Sequence, residues 1–302
     1  MTAFLKRRIF FLSCVILSFS TLSNCWADDV LDRIKKQKQI KIAHREVARP
    51  FSYLDRGNKP IGFAIDICGK VIERIKTELK LPQLKVKYVL VNAYTSIKAI
   101  KEENVDLECG TTANTETLRR QVTFSIPYFF SSTRMMVHTQ SPIRDWSDLT
   151  TKRITFVNGG NSIQLLRKQT AVNLKKIQLR GEINSRVAFD HFATKQVDAF
   201  IADEVTLSAL KAGNKNPQQF DIRGSALGTE AFAIMMRKNM PDLKAIVDKE
   251  IARLMDNGEF TQLYDKWFMQ TIAPHQINYQ LPMSFLLREN MRFPSDKVIR
   301  DL

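Results

Sequence analysis

Leu84-Lys85-Val86-Lys87-Tyr88-Val89-Leu90-Val91, then a helix-length of chain, then Val105-Asp106-Leu107-Glu108-Cys109-Gly110-Thr111-Thr112-Ala113-Asn114: this stretch decides the fold. The first segment alternates and is rich in β-branched residues, so it reads as a strand. Thr95–Glu103 reads as a helix and Val105–Glu108 as a second strand, with a turn that opens another helix near Asn114. Upstream, Phe63, Ile67, Val71, Ile75 and Leu79 recur every four residues, which marks a helix over Gly62–Leu79. Gln39–His44 is the strand before it, preceded by a short amphipathic helix carrying Leu31 and Ile34. Strand and helix alternate, which is the pattern of an α/β layer with a mostly parallel sheet.

The same alternation returns in the second half. Arg153–Val157, Lys176–Arg180 and Asp198–Ala202 read as strands, with helices at Ser162–Lys168, Arg186–Lys195 and Glu204–Ala212. Glu230–Arg237 is a further strand, and Pro241–Phe268 reads as one long helix with Leu243, Val247, Ile251, Leu254 and Trp267 on its apolar face. Two smaller α/β lobes fit 302 residues better than one large sheet. Extended segments near Thr133–His138 and Ala231–Met236 are expected to join them.

The N-terminus is different in kind. Lys6, Arg7 and Arg8 precede an apolar run from Ile9 to Leu22, and Cys25-Trp26-Ala27 precedes Asp28-Asp29. That is the pattern of a cleaved secretory signal, expected over residues 1–27. Lipid anchoring at Cys25 is the alternative, disfavoured by the bulk of Asn24 beside it. No later stretch approaches the roughly 20 apolar residues of a membrane helix. Residues 1–27 hold three basic and no acidic residues, so their removal lowers the net charge from +15 to +12. Basic and acidic residues are interspersed throughout, which reads as a solvated basic surface and not a nucleic-acid interface. Cys68 and Cys109 could pair in an oxidising compartment, and two buried free thiols are an equal alternative. No Cys/His spacing suits a metal, and no cofactor is expected.

In open α/β sheets ligands bind beyond the carboxyl ends of strands. Three such places carry suitable residues: His44-Arg45-Glu46 with Phe51 and Tyr53 behind it, Gly110-Thr111-Thr112-Ala113-Asn114, and Asn158-Gly159-Gly160-Asn161-Ser162 with Asp203 ending a later strand. Each has a plain structural reading as well. Thr111 and Thr112 could simply cap a helix, Asn158 and Asn161 could make a turn, and Phe51 could be core.

Colinear with these are Pro50-Phe51-Ser52-Tyr53, Gly62-Phe63 with Asp66, Phe124-Ser125, Thr133-Arg134, Ala202-Asp203, Met236-Arg237-Lys238 and Asp265-Lys266-Trp267-Phe268. Together they resemble the periplasmic amino-acid-binding proteins of ABC importers, solute-binding protein family 3, and above all its glutamate/aspartate-binding branch. The resemblance implies a two-lobed periplasmic-binding-protein fold of type II with two hinge crossings. Lobe 1 would comprise residues 28–133 plus 236–302, and lobe 2 residues 137–230. It implies a monomeric periplasmic receptor, not an enzyme, that delivers an acidic amino acid or related small anion to an ABC permease in the cytoplasmic membrane. A dehydratase-like enzyme using Glu108 or Glu204 as acid or base is the competing class, and a ligand-sensing lobe for a signalling partner is a third.

By the same resemblance Arg45 would read a side-chain carboxylate and Asp203 the ammonium. Gly110, Thr111, Thr112 and Ala113 would approach the main carboxylate, with Asn158 and Asn161 on the facing lobe and Phe51 as an aromatic wall. The chain departs from the family at four positions. Leu118 stands where the carboxylate-binding Arg belongs, Ser96 where a second Arg belongs, Gly160 where a Thr belongs and Ser185 where a His belongs. Arg119 is the expected substitute, although one helical step turns a side chain by about 100°.

Overall fold

The computed structural model describes residues 29–169, 173–272 and 276–297. The expected signal segment, Cys25 and the start at Asp28 lie outside them. In chain order, α1 (Asp29–Gln37) leads into β1 (Gln39–His44). A small ribbon follows, of β2 (Val47–Ala48), β3 (Ser52–Leu54) and β4 (Pro60–Ile61), and then α2 (Phe63–Glu78). Next come β5 (Lys85–Leu90), α3 (Thr95–Lys101), β6 (Leu107–Glu108), the single turn α4 (Glu116–Arg119) and β7 (Val122–Phe124). The long strand β8 (Phe129–His138) carries the chain away from this unit.

The second unit contains β9 (Arg153–Val157), α5 (Ser162–Gln169), β10 (Gln178–Glu182), α6 (Ser185–Ala193), β11 (Ala199–Asp203) and α7 (Glu204–Ala212). The chain returns through β12 (Phe220–Phe232) to β13 (Met235–Arg237), α8 (Pro241–Asp256), α9 (Glu259–Tyr264) and α10 (Phe285–Arg292). Among the described residues no helix is long and apolar enough to cross a membrane.

Two five-stranded sheets result, ordered β5-β1-β6-β13-β7 and β10-β9-β11-β8-β12. Each is mixed. In the first, β5, β1 and β6 run parallel while β13 is antiparallel to both its neighbours; in the second, β10, β9 and β11 run parallel and β8 is antiparallel to both of its own. The parallel part of each sheet comes from strand–helix–strand units, and the antiparallel strands are the ones that leave and re-enter. β8 and β12 pair with each other along that path, with register shifts between Arg223 and Glu230. Phe129 and Phe232 at one end of the pair belong to the core that covers the first sheet, whereas Met135 and Leu227 belong to a core of the second.

The four-residue repeat of α2 does what its period requires. Phe63, Ile67, Val71 and Ile75 are fully buried, each contributing about 1.5–3 kcal/mol of burial. Gly62 enters this helix at φ 136°, and a Cβ there would sit 2.2 Å from the Phe51 carbonyl oxygen, so only glycine fits. α2 lies on the sheet such that Cys68 meets Cys109, just past β6, in a disulfide with Cα atoms 6.3 Å apart. The free-thiol alternative is therefore wrong, because helix packing places both sulfurs at one point.

Three expectations need correction. The helix expected over Pro241–Phe268 breaks after Asp256, where Gly258 adopts φ 83° and starts α9. Asn257-Gly258 is a helix stop followed by a new start. The strand expected over Glu230–Arg237 splits between β12 and β13, which belong to different sheets. Phe51, expected as an aromatic wall, is fully buried. It meets Phe63, Phe129, Phe232 and Phe268 edge-on, so its ring is core. Tyr53 is likewise buried, edge-on to Trp267.

Candidate functional site

Between the carboxyl ends of the two sheets lies a cleft of about 1250 Å³. The parallel strands β1 and β6 on one side, and β9 and β11 on the other, deliver their following loops to it, as the geometry of open α/β sheets requires.

The first wall is built around Arg45. Its backbone N–H donates to Ser52 Oγ at 2.9 Å, which fixes the turn after β1. Its guanidinium donates through Nε to Glu108 Oε1 at 3.0 Å, and through a terminal nitrogen to Thr112 Oγ1 at 2.9 Å and Ser96 Oγ at 3.4 Å. Gly110 packs on this pair, and a Cβ there would meet Glu108 Oε1 at 2.2 Å and Arg45 Nε at 2.9 Å. Gly110 thus shapes the wall without lining the cleft itself, while its carbonyl accepts from the buried Tyr128 hydroxyl. Burial, reinforced by the Glu108 charge, holds that phenol well above its ordinary pKa.

Thr111, Thr112 and Ala113 line the cleft. The loop is pinned from behind, since Ala113 bridges Phe232 and Asn114 N–H donates to the Ala231 carbonyl at 2.8 Å. Leu118 also reaches the wall, and packs against the cluster that contains Val122 and Phe124. Arg119 lines the cleft, yet its guanidinium is engaged elsewhere: Nε donates to Asn114 Oδ1 at 2.7 Å, and a terminal nitrogen donates to the Asp296 carbonyl.

The facing wall carries the acids. Asp203 ends β11 and caps α7, accepting from Thr206 N–H at 2.8 Å, and burial raises its carboxyl above the usual range. Glu230, near the end of β12, is buried beside it and accepts from Thr133 Oγ1 at 3.3 Å. Burial first, then the Asp203 charge, push the Glu230 carboxyl up to about 8 against hydrogen bonds from Thr133 and Asn161. Asn161 lines this wall with Ser162, Gly160 and Ser185. Asn158 does not; its side chain lies against Gly181, where a Cβ would fall 2.0 Å from Asn158 Oδ1, so it serves the turn.

The structure thus brings Arg45, Thr111, Thr112, Ala113, Arg119, Asn161 and Asp203 to one cleft, and leaves Phe51, Gly110 and Asn158 behind its surface. Sequence reasoning missed Glu230, which looks like an ordinary strand-end acid until β8 and β12 bury it, and Lys297, which reaches the rim from the far end of the chain. The candidates for acid–base chemistry are unsuited to it. Glu108 is buried against Arg45, and Glu204 pairs with Arg134 at 3.4 Å away from the cleft lining. Among the described residues no group of three His, Cys, Asp or Glu is placed to hold a metal.

This arrangement has relatives. An L-glutamate/L-aspartate-binding protein of Pseudomonas aeruginosa is 34% identical over 280 residues, which cover 91% of this chain and 93% of that one. A glutamate/aspartate import solute-binding protein of Escherichia coli is 30% identical over 276 residues, 90% of each chain. Among solved structures, a solute receptor for L-cysteine of Neisseria gonorrhoeae superposes with a TM-score of 0.69 at 22% identity, covering 79% of this chain and 93% of that one, which establishes the shared fold. The model of the bacterial extracellular solute-binding proteins, family 3, matches residues 40–270. With two relatives at 30% identity or more along nine-tenths of its length, the chain belongs to that family of binding proteins.

Proposed function

We propose that this protein is the periplasmic receptor of an ABC importer, capturing an acidic amino acid, glutamate or aspartate, or a related small anion. The observation that carries the reading is the polarity of the cleft. Hydroxyl groups backed by Arg45 line one wall, and the acidic side chains Asp203 and Glu230 line the other. A zwitterion with its carboxylate toward the first wall and its ammonium toward the second matches that polarity. The relatives named for glutamate and aspartate support the choice of ligand.

The two bodies would divide near residues 133–137 and 230–236, with lobe 1 as 28–133 plus 236–302 and lobe 2 as 137–230. β8 and β12 cross between them and are the hinge strands, about which the lobes close on the ligand. A cleaved signal over residues 1–27 and the Cys68–Cys109 disulfide both suit an oxidising extracytoplasmic compartment. The loaded receptor, a monomer, would hand its ligand to a membrane permease.

The test is thermal denaturation of the mature chain against an amino-acid panel. L-glutamate or L-aspartate raises the midpoint by mass action, and Asp203→Ala removes the gain. A panel that leaves the midpoint unmoved refutes the amino-acid assignment.

A further inference from the structure

Four cations among the described residues reach the cleft: Arg45, Arg119, Lys168 and Lys297. They are not equally available. Arg45 is 7% exposed and ion-paired to the fully buried Glu108. Lys168 sits at the end of α5, on the body that carries Asp203. Arg119 is spent on Asn114 Oδ1 in the loop before it, and on the C-terminal tail through the Asp296 carbonyl and the Asp296 carboxylate at 3.6 Å.

What Arg119 holds is a strap. Asp296 also receives Asn114 Nδ2 on its carbonyl at 3.2 Å and pairs with Lys244 Nζ at 3.0 Å. Three side chains from the first-wall loop, its following turn and α8 therefore fix one residue of the tail against the back of the Thr111–Asn114 loop. The next residue is Lys297, exposed and on the cleft surface. Consecutive Cα atoms are about 3.8 Å apart, so anchoring Asp296 anchors the lysine stem. Among the described residues the Lys297 ammonium has neither an ion pair nor a side-chain hydrogen bond, and its backbone N–H donates to Ser295 Oγ at 3.3 Å.

We infer that Lys297, presented by this strap, is the cation that meets the ligand carboxylate on the Thr111–Asn114 side of the cleft, with Arg119 and Asp296 as its positioning residues. The inference rests on the amino-acid reading above. It explains how the first wall binds an anion although its buried arginine is already neutralised and Leu118 offers no charge. A lysine is a compact point charge on a flexible stem, so this site would tolerate more than one carboxylate position than a bidentate arginine would.

Isothermal titration of the mature protein with L-glutamate and L-aspartate tests it. Lys297→Met weakens binding by at least about tenfold and flattens its salt dependence, while Lys297→Arg stays within about threefold. The ligand-free melting midpoint stays put, because the side chain is exposed. Arg119→Gln weakens the parent protein but adds nothing in the Lys297→Met background, the non-additivity expected of two residues acting through one contact. Binding of Lys297→Met within about twofold of the parent, or full additivity with Arg119→Gln, overturns the role of Lys297 and leaves the amino-acid reading standing. A parent protein silent toward the whole panel overturns both.

Discussion

Arg45 and Glu108 form a buried ion pair at 3.0 Å, with side-chain exposures of 8% and 0%, the arginine in the cleft wall and the glutamate behind it. The pair makes the wall rigid at the expense of the arginine's free charge. Removing one partner leaves a buried charge alone, which costs about 3–5 kcal/mol, whereas replacing both by apolar residues is close to neutral. Arg45→Met should therefore be strongly destabilising, and Arg45→Met with Glu108→Leu should recover most of the loss in denaturant titrations. Glu108→Gln keeps a hydrogen-bond acceptor and releases the positive charge, so it should tighten an acidic ligand. An unchanged or weaker affinity would mean that Arg45 acts on the fold alone.

Glu230 should make ligand binding pH-dependent. Its carboxyl lies near 8 in the folded protein, against an ordinary value of 4.5. Between those values the folded state keeps a proton that the unfolded chain has lost, so the contribution of this group to stability falls as pH rises through that window. Ligand binding works in the opposite sense. An ammonium arriving beside Asp203 and Glu230 favours ionised Glu230, so binding near pH 7 should release a proton and affinity should rise from pH 6 to 8. Calorimetry in two buffers of different ionisation enthalpy measures the proton directly. Glu230→Gln should abolish both the release and the slope.

The parts of the fold legible in the sequence are those governed by local period. α2 declares itself through Phe63, Ile67, Val71 and Ile75, and β9 and α7 stand at Arg153–Val157 and Glu204–Ala212 as their patterns require. What was not legible depends on contacts far apart in sequence. Phe51 looks the same to its neighbours whether it faces a cleft or four other rings. Cys68 and Cys109 are 41 residues apart, and only the seating of α2 on β6 joins them. Gly258 did carry a local signal, Asn257-Gly258, which the strong apolar face on either side masked. Within the site, the loop ends after β1, β6 and β11 were readable from the α/β rule, and Arg45, Thr112 and Asp203 lie there. Glu230 and Lys297 were not, because one is buried by strand pairing and the other arrives on a tail with no periodicity.

The Cys68–Cys109 bond should stabilise both the fold and the site. Closing 41 residues into a loop removes denatured-state entropy, for a contribution of about 2–4 kcal/mol. Cys109 also stands immediately before Gly110, with its N–H donating to the Ala43 carbonyl at 3.0 Å, so the bond ties the cleft-lining loop to α2. Reduction, or Cys68→Ser with Cys109→Ser, should lower the urea midpoint and weaken ligand binding together. A loss of stability with affinity intact would show that the hydrogen bonds to Ala43, Arg45, Tyr128 and β12 hold the loop without the disulfide.

Gly159 marks where the second unit touches the first. It adopts φ 81°, and a Cβ built on it would lie 2.7 Å from the Ala93 carbonyl carbon, in the other wall of the cleft. Gly159→Ala therefore introduces two effects, backbone strain and a wedge between the units. Gly258 separates them, since it has φ 83° and nothing within 4 Å of its would-be Cβ. Gly258→Ala should cost roughly 1 kcal/mol of stability through strain and leave affinity unchanged. Gly159→Ala should carry a similar strain and, in addition, weaken the ligand and enlarge the ligand-bound particle in small-angle scattering. Equal affinities for the two variants would mean that the Ala93–Gly159 contact plays no part in holding the ligand, and that the proposed closure does not run through it.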